Sequence, residues 1–228
     1  MADWWAGVSA TFVKCFIAAD RYKLLLEGIG VTVKVTLMAA FFGLIIGFLL
    51  ALCNLSKYKA LKAIAKVYLD VIRGTPIVTQ VMIIYFVIFA PIHWPKWVIV
   101  AIAFSINSGA YVSEIIRGGI LSIDKGQTEA GRSLGLNGRQ TMISIVLPQA
   151  AKNIFPSLCN EFITLIKETA IVGYVGLMDI QKAGDFIKSA TYEAFMPLFG
   201  VAVFYFVIIK ILTILLGRIE KNLRKSER

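Results

Sequence analysis

The sequence predicts an all-α polytopic membrane protein of five transmembrane helices, with its N-terminus outside and its C-terminus in the cytoplasm. Three observations lead there. Apolar residues make up 58% of the 228 positions and the mean hydropathy is +0.76, more than a water-soluble domain can hide. Several apolar runs reach the roughly 20 residues that cross the hydrocarbon core of a bilayer. The Lys and Arg residues crowd onto one set of connections, as positive-inside topology requires.

Residues 1–25 form an N-terminal interfacial segment. Asp3 precedes Trp4 and Trp5, and Lys14 interrupts the apolar stretch. A cleaved signal has a basic start and a clean apolar middle, so this segment reads instead as an amphipathic one lying at the membrane surface. The first span runs from about Gly28 to Cys53, and within it Gly43 and Gly47 fall on one helix face suited to close helix contact. Leu61 to Ala90 makes the second, interrupted by Gly74-Thr75-Pro76. Pro76 lacks a backbone donor and disfavours helix at Thr75, so a kink is expected there. Membranes tolerate such breaks where protein or a polar cavity surrounds the freed backbone groups. His93-Trp94-Pro95-Lys96-Trp97 is a tight loop into the third span, about Trp97 to Ile120. The four tryptophans, Trp4, Trp5, Trp94 and Trp97, then share one membrane face as interface anchors.

A polar, glycine-punctuated loop at 122–147 follows. Gln127 to Leu134 predicts a short helix that Gly135 stops, because glycine adopts backbone angles costly to other residues. Asn137 stands where a helix N-cap belongs, and Pro148 opens the fourth span, about Pro148 to Lys167. The expected result is helix, sharp turn, helix, projecting from one side of the membrane. Small Ala130 and Gly131 would let another backbone approach, and Glu129 and Arg132 offer charge to a partner; an ordinary solvated loop is the alternative. Ala170 to Thr191 is apolar but broken by Gly173, Gly176 and Gly184, which predicts a re-entrant or extracytoplasmic helical segment. The fifth span, about Ala194 to Gly217, ends in a basic tail at 218–228.

Charge orients these spans. Lys57, Lys59, Lys62 and Lys66 flank the first connection, Lys125, Arg132 and Arg139 lie in the third, and Arg218, Lys221, Arg224, Lys225 and Arg228 in the tail. The opposite side carries Lys14, Arg21, Lys23, Lys96, Lys182 and Lys188 over longer segments. The polar loop and the C-terminus are therefore placed in the cytoplasm.

Several function classes fall away. The +10 net charge reads as membrane topology, because no soluble basic module with aromatic platforms is present to take nucleic acid. Cys15, Cys53 and Cys159 are scattered through apolar runs and read as packing residues. His93 is the sole histidine, which excludes a His-based metal centre or triad within one chain. No Gly-x4-Gly-Lys-Ser/Thr phosphate loop occurs, so the chain does not cradle ATP by that motif.

Glu129-Ala130, Gly135 and the closing Ile145-Val146-Leu147-Pro148 resemble the EAA loop of membrane subunits of bacterial ATP-binding-cassette importers, with Gly131 standing at the second alanine. Arg73-Gly74-Thr75-Pro76, Tyr111 to Gly119 and Ile166-Lys167-Glu168-Thr169 resemble its polar-amino-acid branch, and the resemblance covers about Leu26 to Gly217. It implies a type I importer transmembrane domain at 26–217 in the bacterial cytoplasmic membrane. Two cytoplasmic ATPase subunits that bind ATP and Mg would dock on Glu129, Ala130, Gly131, Gly135, Leu136 and Gly138; this chain would hold no cofactor itself. A second permease subunit, expected to be identical, and an extracytoplasmic amino-acid-binding protein complete the assembly. The implied substrate is a polar or basic amino acid such as arginine, histidine, lysine or glutamine. A self-sufficient carrier or channel needing no ATPase is the rival reading.

The candidate pathway residues come from the residues themselves. An ionisable group within a span should face protein or water. Asn107, Tyr111 and Glu114 follow at helical steps and share one face, beside Ser108. Glu114 either lines the path or pairs with Arg117 or another cation. Glu161, Thr164 and Glu168 repeat the spacing in the fourth span; Thr164 is expected to line the path, while Glu161 and Glu168 line it or pair with Lys167 or Arg73. The break at Thr75 would present backbone groups to a carboxylate.

Overall fold

The computed structural model describes residues 1–225; Arg228 of the basic tail lies outside the described residues. Ten helices follow one another: α1 (Ala2–Phe12), α2 (Tyr22–Leu55), α3 (Lys59–Arg73), α4 (Ile77–Ile83), α5 (Lys96–Leu121), α6 (Lys125–Ser133), α7 (Gly138–Thr141), α8 (Leu147–Glu168), α9 (Ile180–Thr191) and α10 (Phe195–Lys225). Wide turns at Val13–Ile17, Ile84–Ile88 and Met142–Val146 extend α1, α4 and α7, and a tight helical turn at Thr169–Val175 follows α8.

Among the described residues, α2, α5 and α10 (to Asn222) are long and apolar enough to cross a membrane. The five-span count rests on reading α3 with α4 as one broken span and α8 as a polar one. Gly74-Thr75-Pro76 does more than kink that second segment: α3 ends at Arg73 and a separate helix begins at Ile77. Pro76 supplies no N–H and keeps Thr75 from helical geometry, and the Thr75 hydroxyl instead donates to the Val71 carbonyl at 2.8 Å. The fourth span lies where expected, since α8 runs Leu147–Glu168 with Pro148 as its second residue. The chain is already helical from Gly138, and the Met142–Val146 turn, where the Leu147 N–H reaches back five residues to the Met142 carbonyl, leads directly into Pro148. That wide turn accommodates a residue with no donor inside a continuing helix.

The chain divides into two compact units. The first comprises residues 1–39, 77–104 and 164–212. Its core gathers Cys15, Phe16, Leu25, Ile180, Ala183, Ile187 and Val201. Gly28 lets α2 lie against the backbone at Asp179, where a Cβ would come within 2.6 Å of a main-chain atom. Asp179 is fully buried and caps α9, accepting from the backbone N–H groups of Gln181 and Lys182 at 3.3 and 2.9 Å and from the Tyr205 hydroxyl at 3.3 Å. It lies in the connection between α8 and α10, and burial pushes its carboxyl up to about 6.

Among the described residues, the second unit comprises 40–76, 105–163 and 213–225. Its core is Ala51, Val112 and Ile116, with Ile120, Ile154 and Leu158 packed around them. The expected glycine seam is present: a Cβ at Gly43 would lie 3.1 Å from that of Ser108, and one at Gly47 only 2.5 Å from Val112 Cγ1. Gly109 answers from α5 against Ile46. The small residues thus bring α2 and α5 into backbone-close contact.

Candidate functional site

Two arrangements in the second unit carry most of the predicted site residues. The first is the polar prong of α6 and α7. Asp124 caps α6 through the Gly126 N–H. The helix ends at Gly135, whose φ of +85° is left-handed, with Gly135 N–H donating to Arg132 O at 3.0 Å and Leu136 N–H to Gly131 O at 3.1 Å. This is the paired C-terminal closure that glycine favours. Asn137 then starts α7 with a reciprocal cap: its side chain accepts from the Gln140 N–H at 2.9 Å, and the Gln140 side chain accepts from the Asn137 N–H at 2.8 Å.

Glu129, Ala130, Gly135 and Gly138 are exposed on the prong and Leu136 is half-buried. Gly131 differs. It is buried, and its close neighbours are Thr141 and Ile145 of this same chain, within 2.8 Å of where a Cβ would stand. Its smallness therefore seats α6 on the helix that follows. Leu134, which the residue pattern does not single out, is 81% exposed at the tip. It stands clear of the chain's own packing, which only its exposure reveals.

The second arrangement is an ion-pair cluster between α3 and α5. Arg117 donates to Glu114 through two nitrogens, Nε to Oε1 at 2.9 Å and Nη2 to Oε2 at 3.0 Å. Arg73 Nη1 reaches Glu114 Oε2 at 3.3 Å, and its guanidinium carbon lies 5.8 Å from the centre of the Tyr111 ring. Glu114 is thus held by two cations, the pairing alternative for this residue. Tyr68, whose hydroxyl donates to the Ile106 carbonyl at 2.8 Å, ties α3 to α5 a little further along.

Beside this cluster, Asn107 and Ser108 are buried, and the Ser108 hydroxyl donates to Glu161 Oε1 at 2.8 Å. Tyr111 is 38% exposed and Thr75 is exposed. Arg73, offered as a possible partner for Glu161, is engaged by Glu114. Thr164 lies one helical turn beyond Glu161 on α8 and belongs to the first unit. A cleft of about 400 Å³ opens from the cluster along α3, lined by Lys62, Lys66, Asp70, Arg73, Glu114 and Arg117. The steps from Lys62 to Lys66, Asp70 and Arg73 keep one helix face, a signal present in the sequence.

Comparison with known proteins identifies the setting of both arrangements. Residues 43–225 match the family described as binding-protein-dependent transport system inner membrane component. The chain belongs to this family. It is a multi-pass membrane protein, and its fold is that of type I ATP-binding-cassette importer transmembrane domains. Among the family's members, the arginine transport system permease protein of Bacillus subtilis (strain 168) is 42% identical over 209 residues, covering 91% of this chain and 95% of that one. The glutamine transport system permease protein of Escherichia coli (strain K12) is 36% identical over 204 residues, covering 88% and 93%. A crystal structure of an amino acid ABC transporter with histidines superposes with a TM-score of 0.84 at 39% identity, over 91% of this chain and 98% of that one. The MetNI methionine transporter in an inward-facing form shares the fold at a TM-score of 0.71 and 20% identity, covering 89% and 97%.

Proposed function

We propose that this chain is the membrane-spanning permease subunit of an ATP-driven importer of polar amino acids. The observation that carries the reading is the α6–α7 prong. It is capped at each end of its turn, seated on its own chain by Gly131, and otherwise exposed, with Glu129, Ala130 and Leu134 available to a second protein. In this reading two cytoplasmic ATPase subunits, which hold the ATP and Mg, grip the prong. Their closure on nucleotide moves it, and the spans pass between inward- and outward-facing arrangements as packed bodies.

The reading includes five spans, an N-terminus outside and the prong and C-terminus inside, as the Lys and Arg distribution favours. A second, identical copy completes the pathway, because five spans do not readily enclose one, and an extracytoplasmic binding protein delivers the substrate. Asn107, Ser108, Tyr111, Glu161, Thr164 and the break at Thr75 line the route. Glu114 takes part through the two arginines it holds and adds no free negative charge. The relatives' names support both arginine and glutamine as substrates.

The test is reconstitution of the chain into vesicles with its co-purified ATPase and binding protein. Uptake of amino acid should require ATP and all the components. Uptake by the chain alone without ATP would establish the carrier or channel reading instead.

A further inference from the structure

We infer that the cleft beside Glu114 is a carboxylate-binding site on the cytoplasmic stretch of the translocation route, with Lys62, Lys66, Arg73 and Arg117 as its cationic wall. The inference rests on the permease reading above and adds to it a chemical group that the site recognises.

Four cations and two carboxylates, Asp70 and Glu114, line the cleft, so its formal charge is +2. Glu114 engages Nε and Nη2 of Arg117 and Nη1 of Arg73. A second carboxylate can be taken by the remaining guanidinium N–H groups and by the two ammonium groups. Glu114 acts here as a positioning residue, fixing the plane of the Arg117 guanidinium and tethering one nitrogen of Arg73, so that less side-chain entropy is lost when an anion arrives. Tyr111 supports Arg73 from the ring side.

The faces of α3 indicate that this cleft looks onto a route rather than onto lipid. Leu61, Ile64, Val67 and Val71 are all exposed and follow at helical steps, forming an apolar stripe. At about 100° per residue, Ile64 lies roughly opposite Lys66. In a bilayer the apolar stripe takes the acyl chains, and the charged stripe turns to protein or water. Its volume of about 400 Å³ falls within the range of small-molecule sites, roughly 300–1,000 Å³.

The guanidinium fork matches a carboxylate in geometry as well as charge. Every free amino acid carries one, whatever its side chain. The cleft therefore recognises the group common to amino acids and leaves side-chain choice to the residues around Asn107 and Glu161.

The experiment measures binding to the full chain with its ATPase subunits in nanodiscs, using two matched pairs of probes: L-glutamine against L-glutaminamide, and glutarate against glutaramide. On the unaltered complex each carboxylate should bind at least roughly tenfold more tightly than its amide. The exposed double variant Lys62→Gln/Lys66→Gln should shrink that ratio to about twofold, and Arg117→Lys should give an intermediate value because it keeps charge but not the fork. Equal affinity for acid and amide, no binding of either carboxylate, or an unchanged ratio in the double variant would overturn the proposal. ATP-driven uptake by the unaltered complex is scored separately. Its failure alongside intact acid–amide discrimination would sink the permease reading and leave the carboxylate site standing.

Discussion

Arg117 holds Glu114 with two nitrogens of one guanidinium, at 2.9 and 3.0 Å, one turn apart on α5. The carboxylate is committed to that grip and to Arg73, so its removal should act on the cluster as a whole. Glu114→Gln is expected to lower stability by about 1–3 kcal/mol, the usual worth of charge-assisted hydrogen bonds. Uptake should fall equally for basic and neutral amino acids. Thermal unfolding of the purified complex and uptake kinetics across both classes check this; a loss confined to basic amino acids would mean that Glu114 touches the side chain directly.

Gly135→Val addresses the turn of the prong. The position has a φ of +85°, where an L-residue costs about 1–2 kcal/mol and a β-branched one is worse off still. The variant should insert normally, because no apolar core contact is lost, and should uncouple ATP hydrolysis from uptake. The ratio of hydrolysis to uptake in vesicles reads this directly, and an unchanged ratio would remove the turn from coupling.

Leu134→Ser tests the tip. Leu134 is 81% exposed, so the substitution leaves the chain's own packing intact. ATPase subunits should co-purify several-fold less with the variant while its thermal stability in detergent stays within about 0.5 kcal/mol. Full retention of the ATPase would show that the leucine is not gripped.

Asp179 gives a pH dependence. Its carboxyl is raised from 3.8 to about 6 by burial, so the native state binds the proton more tightly than the unfolded chain does. The stability associated with that proton is fully present below about pH 4 and is lost as pH rises through about 6. Asp179→Asn keeps the acceptor for the α9 cap without the buried charge. It should stabilise the protein by on the order of 3 kcal/mol at pH 8 and hardly at all at pH 4. Thermal melts at the two pH values measure the difference, and an equal effect at both would rule out the buried charge as its cause.

Much of the prong is legible in the residues because its determinants are local. Gly135 needs only its own backbone angle, and Asn137 needs only Gln140 three residues on. The Gly43–Gly47 seam is legible for the same reason, since helical periodicity alone puts both on one face. The ion-pair cluster is different. Arg73 and Glu114 are brought together by packing between α3 and α5, so the sequence leaves open whether Glu114 meets a cation or a substrate. Pro148 marks the start of α8 as read, while the wide turn at Met142–Val146 that joins α7 to it has no clear residue signature.

The seam between α2 and α5 has a consequence for charge. Gly43, Gly47 and Gly109 set how near α5 can approach, and α5 is the helix that carries Ser108, Glu114 and Arg117. A bulky residue at Gly47 would prise the two backbones apart and draw these three side chains away from Glu161 and Arg73. The electrostatic pattern of the second unit is thus governed by three positions that have neither a side chain nor a charge, and a search for function among polar residues alone would pass over them.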